Sequence, residues 1–303
     1  MSRPDVSFEF FPPRSALASS QLWATIIALE PLEPHFVSVT YGAGGTTREQ
    51  TVATVLRIHT TTRLNAAAHL TCVAASRHEI DQLLRTYWEA GIRRIVALRG
   101  DPPGGGAYAP HPEGYRDAAA LVAGIRAIGD FEISVAAYPE IHPAARDAES
   151  DLDNLKRKLD AGANRAITQY FFDTAVYLRF VERARKAGIA APIVPGIMPV
   201  TNFVQLVRFS KMCGTAVPPW LGELFEGLDE DPDTRKLVAA MVATEQCRAL
   251  AAAGVDSFHF YTLNRADLIL GICRRLGLKP SAAGLKPGLA TDQPPPARDP
   301  TVP

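Results

Sequence analysis

Eight short apolar runs recur along the chain, at 6–11, 36–41, 65–72, 94–100, 133–138, 165–172, 192–198 and 256–263. Amphipathic segments such as 79–90 and 152–161 lie between them, and Gly91, Gly162, Gly188 and Gly254 each stand just before the next run. Glycine past a helix end takes the left-handed conformation at little steric cost, so it marks helix C-termini. Strands that alternate with helices need crossover connections, which produce a parallel sheet. Eight such units, roughly 30 residues apart, predict an α/β fold of the closed (β/α)8 TIM-barrel type rather than an open doubly wound sheet. The interval between the seventh and eighth runs is about twice as long and predicts extra helices near 202–213 and 232–253.

Composition narrows the partners. Lys plus Arg and Asp plus Glu each number 32, so the chain lacks the cationic excess that nucleic-acid binding needs. With 47% hydrophobic and 21% charged residues it can bury a large core. No apolar run reaches the roughly 18 residues that span a bilayer. The N-terminus has an acidic residue where a signal peptide needs its apolar stretch. Cys72, Cys213, Cys247 and Cys273 have no C-x-x-C spacing and read as reduced thiols, not as a disulfide frame or zinc site. A cytoplasmic protein with no metal site, membrane partner or nucleic-acid partner is expected. The segment 279–303 contains seven prolines in 25 residues and no aromatic residue, so it is expected to be a disordered tail after a barrel of residues 1–278.

In a barrel of this type the chemistry sits at the carboxyl ends of the strands. Unusual polar residues collect there. Glu9 lies among Phe8, Phe10 and Phe11, and Pro12-Pro13 follow at once. Strand two ends Thr40-Tyr41 and runs into 42–45, strand three places His69 late, and strand four ends Arg99-Gly100-Asp101. Strand five ends at Tyr138 with Glu140 and His142 beyond it, strand six carries Gln169, and strand eight ends with 261–265. Alternation argues for Glu9 inside the barrel, because the opposite parity would put Phe8 and Phe10 inside and Glu9 under the helices. A glutamate in an aromatic strand is expected to have a raised pKa.

The helix beginning near Ser150 adds a second constellation. Ser150 and Asp153 have the spacing of a capping box, and Leu152, Leu155 and Leu159 form its apolar stripe. Asp151, Asn154, Arg157 and Lys158 fall on a separate arc. That arc is either a solvated face with ordinary pairs one turn apart or a grip of two cations and two polar groups for a diphosphate and hydroxyls. The segment 42–47 lacks the third glycine of a dinucleotide fingerprint, and no phosphate-loop ending occurs.

Seven blocks of sequence then align in order with one family. Phe8-Glu9-Phe10-Phe11-Pro12-Pro13-Arg14, the runs 37–43, 69–72, 97–101, 151–158 and 164–169, and 258–265 resemble bacterial methylenetetrahydrofolate reductase, from about residue 6 to residue 278. The resemblance implies non-covalent FAD, NADH or NADPH as reductant, and ping-pong reduction of 5,10-methylenetetrahydrofolate to 5-methyltetrahydrofolate for methionine synthesis. It implies Glu9 as general acid and Asp101 as a catalytic carboxylate beside the flavin. Thr40, Tyr41, Ala43, His69, Arg99, Gly100, Asp101, Tyr138, His142, Ala145, Asp151, Asn154, Arg157 and Lys158 match flavin positions. Gln169, Gln205, Phe209, Tyr261 and Arg265 match positions that meet folate or nicotinamide. The loop 102–117 departs from the family pattern in length, with Tyr115 the candidate flavin contact. The family also implies a homo-oligomer. The 25 residues after Leu278 are too few for the regulatory domain of larger eukaryotic relatives, so no response to S-adenosylmethionine is expected.

Two other classes remain on the residues alone. A flavin-free lyase or aldolase barrel would use a lysine Schiff base or phosphate site, and no strand here ends in lysine. A non-catalytic ligand-binding barrel would not need Glu9 inside strand one.

Overall fold

Side-chain parity along the first strand sets the two faces of the sheet. In β1 (Asp5–Phe10), Val6, Phe8 and Phe10 join the large core between strands and helices, while Ser7 and Glu9 point into the barrel. The computed structural model describes residues 3–42, 47–102, 104 and 106–281. The order is β1, α1 (Ala16–Leu29), β2 (Phe36–Val39), α2 (Arg48–Thr61), β3 (Ala66–Thr71), α3 (Arg77–Glu89), β4 (Arg94–Leu98) and α4 (Ala118–Ile128). It continues with β5 (Glu132–Ala137), α5 (Ala148–Asp160), β6 (Arg165–Thr168), α6 (Thr174–Lys186), β7 (Ile193–Val194) and β8 (Gly196–Ile197). Helices α7 (Phe203–Cys213), α8 (Pro219–Phe225) and α9 (Pro232–Ala252) precede β9 (Ser257–Tyr261) and α10 (Ala266–Arg275).

All pairings are parallel, in the order β7-β6-β5-β4-β3-β2-β1-β9-β8. The expected seventh strand is therefore two short strands. Pro195 between them has no N–H, so the ladder breaks: β7 pairs with β6, and β8 pairs with β9. The broken strand closes the barrel. Residues 40–41, 99–100 and 169–172, read above as strand ends, lie in the loops just beyond. The four helix-ending glycines have φ between +80° and +113°. Gly91 needs that freedom most, since a Cβ there would also meet His59 Nε2 at 2.8 Å.

The long interval before the last strand holds the two expected helices, capped by Asn202 and Asp231, and also the short α8. They cover a second apolar cluster that includes Tyr170, Phe172, Leu206, Leu221 and Phe225. No helix among the described residues is long and apolar enough to cross a membrane. Residues 279–281 continue onto the barrel, where Ser281 N donates to Pro31 O at 2.7 Å. The rest of the expected tail, 282–303, lies outside the described residues.

The amino end of the barrel is closed by charge. Glu132 pairs with Arg165 and lies 3.0 Å from Arg94 Nε and 3.1 Å from His35 Nε2. The His35 hydrogen bond, opposed by burial and reinforced by both arginines, holds the Glu132 carboxyl down to about 2. Unfolded glutamate titrates near its ordinary value, so this stabilisation is complete above about pH 4.5 and fades as pH falls towards 2. Glu132→Gln is expected to cost about 2–3 kcal/mol at neutral pH and much less near pH 3, because it leaves two partly buried guanidinium groups uncompensated. Urea midpoints at both pH values check this, and equal losses would contradict it.

Candidate active site at the carboxyl ends of the strands

A cleft of about 470 Å³ opens where β4 and β5 end, within the size range of small-molecule sites. It gathers ten of the expected flavin positions: Arg99, Gly100, Asp101, Tyr138, His142, Ala145, Asp151, Asn154, Arg157 and Lys158. Gly100 brings the backbone against β3. Its φ is +81°, and a Cβ there would meet Val73 Cγ1 at 2.6 Å and Thr71 Cβ at 2.8 Å. Past β5, His142 N donates to Asp151 Oδ2 at 2.9 Å, and the Tyr138 and His142 rings meet edge to face at 4.6 Å.

The helix on this cleft starts earlier than its sequence suggests. Asp147, not Ser150, is the cap of α5: it accepts from Ser150 N at 2.7 Å, and Ser150 Oγ accepts from Asp147 N at 3.1 Å. Ser150 thus takes the third position of a capping box in which serine replaces the usual glutamate. The polar arc also divides. Asp151, Leu155 and Lys158 form the buried stripe of α5, one turn apart in succession. Lys158 Nζ donates to Ala136 O at 2.5 Å, and burial pushes its pKa down to about 8. Arg157 stays at the rim, about half exposed, and donates to Asp117 Oδ2 at 3.1 Å and to Asn154 Oδ1 at 2.9 Å. The cleft therefore has an ionic floor and a cationic rim.

Inside the barrel mouth, Glu9 stands between two imidazoles. Glu9 Oε2 is 3.3 Å from His69 Nε2 and 3.5 Å from His259 Nε2, and His259 Nδ1 shares a 2.7 Å hydrogen bond with Ser7 Oγ. The His69 contact is close but poorly aligned for a hydrogen bond, and the larger part of its pull on Glu9 is electrostatic. This corrects the expected raised pKa of Glu9. Burial does push it up, but the two histidines outweigh burial and hold the carboxyl at about 2. Among the described residues, Ser38 Oγ, His69 Nε2 and Thr71 Oγ1 are buried here without a hydrogen-bond partner. Buried polar atoms seldom stay unsatisfied, so these three suit a polar ligand at the mouth. Tyr261, beside Glu9 in register, donates to Thr168 O at 2.7 Å. Gly196 permits this approach, since a Cβ there would lie 2.6 Å from the Tyr261 ring.

The remaining expected residues disperse. Thr40 lies just past β2, and its carbonyl accepts from Thr51 Oγ1. Tyr41 lines a separate 120 Å³ cavity with Arg48 and Glu79, and Ala43 lies outside the described residues. Gln169 lines a narrow crevice with Tyr138 and Cys213. Gln205, Phe209 and Arg265 are exposed, the first two on α7 and the third just before α10. Tyr115 does not line the cleft: its hydroxyl donates to Asp81 at 2.7 Å, packed against α3. Tyr108 reaches the cleft instead. His259, Asp117 and Tyr108 were missed. For His259 the signal was available, because it stands two residues before Tyr261 and so shares its face.

The family model described as methylenetetrahydrofolate reductase matches residues 2–277. The chain belongs to the methylenetetrahydrofolate reductase family. A 5,10-methylenetetrahydrofolate reductase of Escherichia coli (strain K12) is 52% identical over 277 residues, 91% of this chain and 92% of that one. One from Pectobacterium carotovorum is 52% identical over 281 residues, 93% of each chain. A solved structure of an uncharacterized Clostridium thermocellum protein, which binds two copies of 5-methyl-5,6,7,8-tetrahydrofolic acid, aligns with TM-score 0.62 at 12% identity. It covers 90% of this chain and 93% of its own, and it shows the shared barrel fold.

In this reductase-family barrel the ionised state of Glu9 is directly measurable. Selective 13C labelling of the glutamate carboxyls is expected to place the Glu9 midpoint near 2, against an ordinary value of 4.5. A midpoint above about 5 would mean that burial, not the two histidines, sets its charge.

Proposed function

We propose that the chain reduces 5,10-methylenetetrahydrofolate to 5-methyltetrahydrofolate, in a ping-pong sequence with non-covalently bound FAD and NADH or NADPH as reductant, for methionine synthesis. The observation that carries this reading is the cleft with a cationic rim at the strand ends, in a barrel whose interior also holds a buried carboxylate between two histidines. Membership of the family supports the same substrate.

The residues present suit FAD. Arg157 and Asn154 at the rim, with Arg146 beside them, offer charge-assisted donors for a diphosphate. Asp151 and Lys158 form the floor, and Asp101, Tyr138 and His142 line the wall. Bound FAD would accept a hydride from the nicotinamide and pass it to the folate carbon, chemistry that no side chain supplies. The chain's own task is to orient the two substrates and to manage charge. Asp101, a carboxylate on the wall, favours a cation beside it, as in the iminium form of the methylene substrate. Gln169, Gln205, Phe209, Tyr261 and Arg265 are the residues assigned to folate and nicotinamide.

Ring opening of the folate requires a proton at N10, and Glu9 is placed to deliver it. An ionised carboxylate cannot donate, so the proton must be held by the cluster as a whole. His259 Nε2 shares a 3.5 Å hydrogen bond with Glu9 Oε2, a line along which a proton can pass through Glu9 to the substrate, with His69 as the second imidazole 3.3 Å away. The same reading includes a cytoplasmic location, a catalytic barrel over residues 1–278 and assembly into a homo-oligomer. Exposed Trp220 and Leu224 on α8 and Leu237 and Met241 on α9 support the last of these.

The purified protein is expected to be yellow, to release FAD on denaturation and to oxidise NADH or NADPH only with a folate or artificial acceptor. A colourless protein that does not take up FAD would refute the proposal. Arg157→Ala is expected to raise the FAD dissociation constant about tenfold or more, since a charge-assisted contact contributes about 1.5–3 kcal/mol. Fluorescence titration of the apoprotein measures this, and unchanged affinity would return the α5 rim to a solvated face.

A further inference from the structure

The loop from β4 to α4 contains one fixed point that the proposed function does not use. Among the described residues of 102–110, Tyr108 alone makes hydrogen bonds or ring contacts with the chain. Its hydroxyl donates to Arg116 O at 3.1 Å and lies 3.7 Å from Cys72 Sγ. Its ring centroid is 4.7 Å from Arg99 Cζ, within range of a cation–π contact. The following residues are fixed separately: Arg77 bonds to the carbonyls of Glu113 and Gly114, and Tyr115 bonds to Asp81. Before Tyr108, Gly104 and Gly106 have left-handed φ and open space where a Cβ would be. Among the described residues 106–110, Tyr108 is the anchor.

Arg99 depends on it too. Among the described residues its guanidinium has no hydrogen bond or carboxylate partner, and the Tyr108 ring is its contact. Both side chains line the cleft next to Asp117 and Arg157. A long cation with no partner loses rotamer freedom when it binds a ligand, and a stacking ring removes part of that cost beforehand. The hydroxyl lies against Cys72, which is fully buried and whose Sγ donates to Arg99 O at 3.5 Å.

We propose that Tyr108 is a positioning residue: it latches residues 106–110 beside Cys72 and holds the Arg99 guanidinium in the cleft for an anionic or carbonyl group of the cofactor. The inference rests on the cofactor reading above. Its distinctive consequence is that loss of the ring uncovers the Cys72 thiol.

The test uses the full chain as apoprotein, with FAD titration and iodoacetamide labelling mapped by mass spectrometry. Tyr108→Ala is expected to speed Cys72 labelling at least tenfold while Cys247 and Cys273 stay protected, which also reports that the barrel is folded. The same variant is expected to weaken FAD about tenfold, in the range of a partly desolvated cation–π contact. In an Arg99→Gln background it should weaken FAD no further, an outcome that a merely structural tyrosine would not give. Tyr108→Phe, which keeps the ring and loses the hydroxyl bonds, should hold FAD within about threefold of wild type while Cys72 labelling rises. Unchanged Cys72 labelling in Tyr108→Ala, or the same FAD loss with and without Arg99, would overturn the latch. A wild-type chain that binds no FAD would refute the cofactor reading instead, and the labelling arm would still decide the latch.

Discussion

The parity of one strand decides where the chemistry of this barrel lies. Phe8 and Phe10 face the helices, so Glu9 must face inwards, and its neighbours across the ladder are Ser38 and Tyr261. Below it a column of side chains fills the interior. His259 stacks on Phe36 at 5.9 Å, Phe36 lies 5.6 Å from Arg165 Cζ, and Arg165 is tied to Glu132 at the amino end. A one-residue slip of β1 would exchange two buried phenylalanines for a buried carboxylate beneath the helices, an outcome that costs far more than any single hydrogen bond returns. Packing energy thus fixes the position of the carboxylate proposed to act on the substrate.

The charges above that column are arranged by depth. At the floor, Lys158 is enclosed, bonded to a strand carbonyl, with Asp151 beside it. At the rim, Arg157 is held by Asp117 and Asn154 and remains half exposed. Asp117 also caps α4 through Ala120 N, so the side chain that steadies the rim cation is itself fixed by a helix end. Under the proposed function, a cofactor diphosphate would need only to displace a surface ion pair, which contributes little in water, to gain the guanidinium. The enclosed Lys158 sets charge at the floor without having to move.

Much of this was legible from local pattern. The glycine stops, the Phe-Glu-Phe parity and the polar strand ends depend on neighbours within a few residues. They pointed to the barrel and to the wall of the cleft formed by Arg99, Gly100, Asp101, Tyr138 and His142. The α5 arc stayed open between two readings until the family resemblance was added. What was not legible depends on tertiary contacts. Pro195 splits a strand whose two halves pair with different partners, and two-residue strands carry no periodicity to read. Asp147 and Ser150 reverse the usual order of a capping pair, so the helix seemed to begin a turn late. The state of Glu9 was misjudged because burial is visible in its own strand, whereas His69 and His259 arrive on β3 and β9. Tyr115 looked like the loop's ligand contact, but a partner on α3 draws it away and leaves Tyr108 at the cleft.

The central claim is that Glu9 and its two histidines move a proton to the folate and do nothing else essential. Glu9→Gln keeps the shape of the side chain and removes its capacity to relay a proton. Stopped-flow absorbance of this variant separates the two halves of the reaction. General acid catalysis contributes about 10²–10⁴-fold, so reoxidation of the reduced enzyme by methylenetetrahydrofolate should slow by that order. Reduction of the bound flavin by the nicotinamide should stay within a few-fold of wild type. Equal slowing of both halves, or an unchanged folate half, would contradict the account.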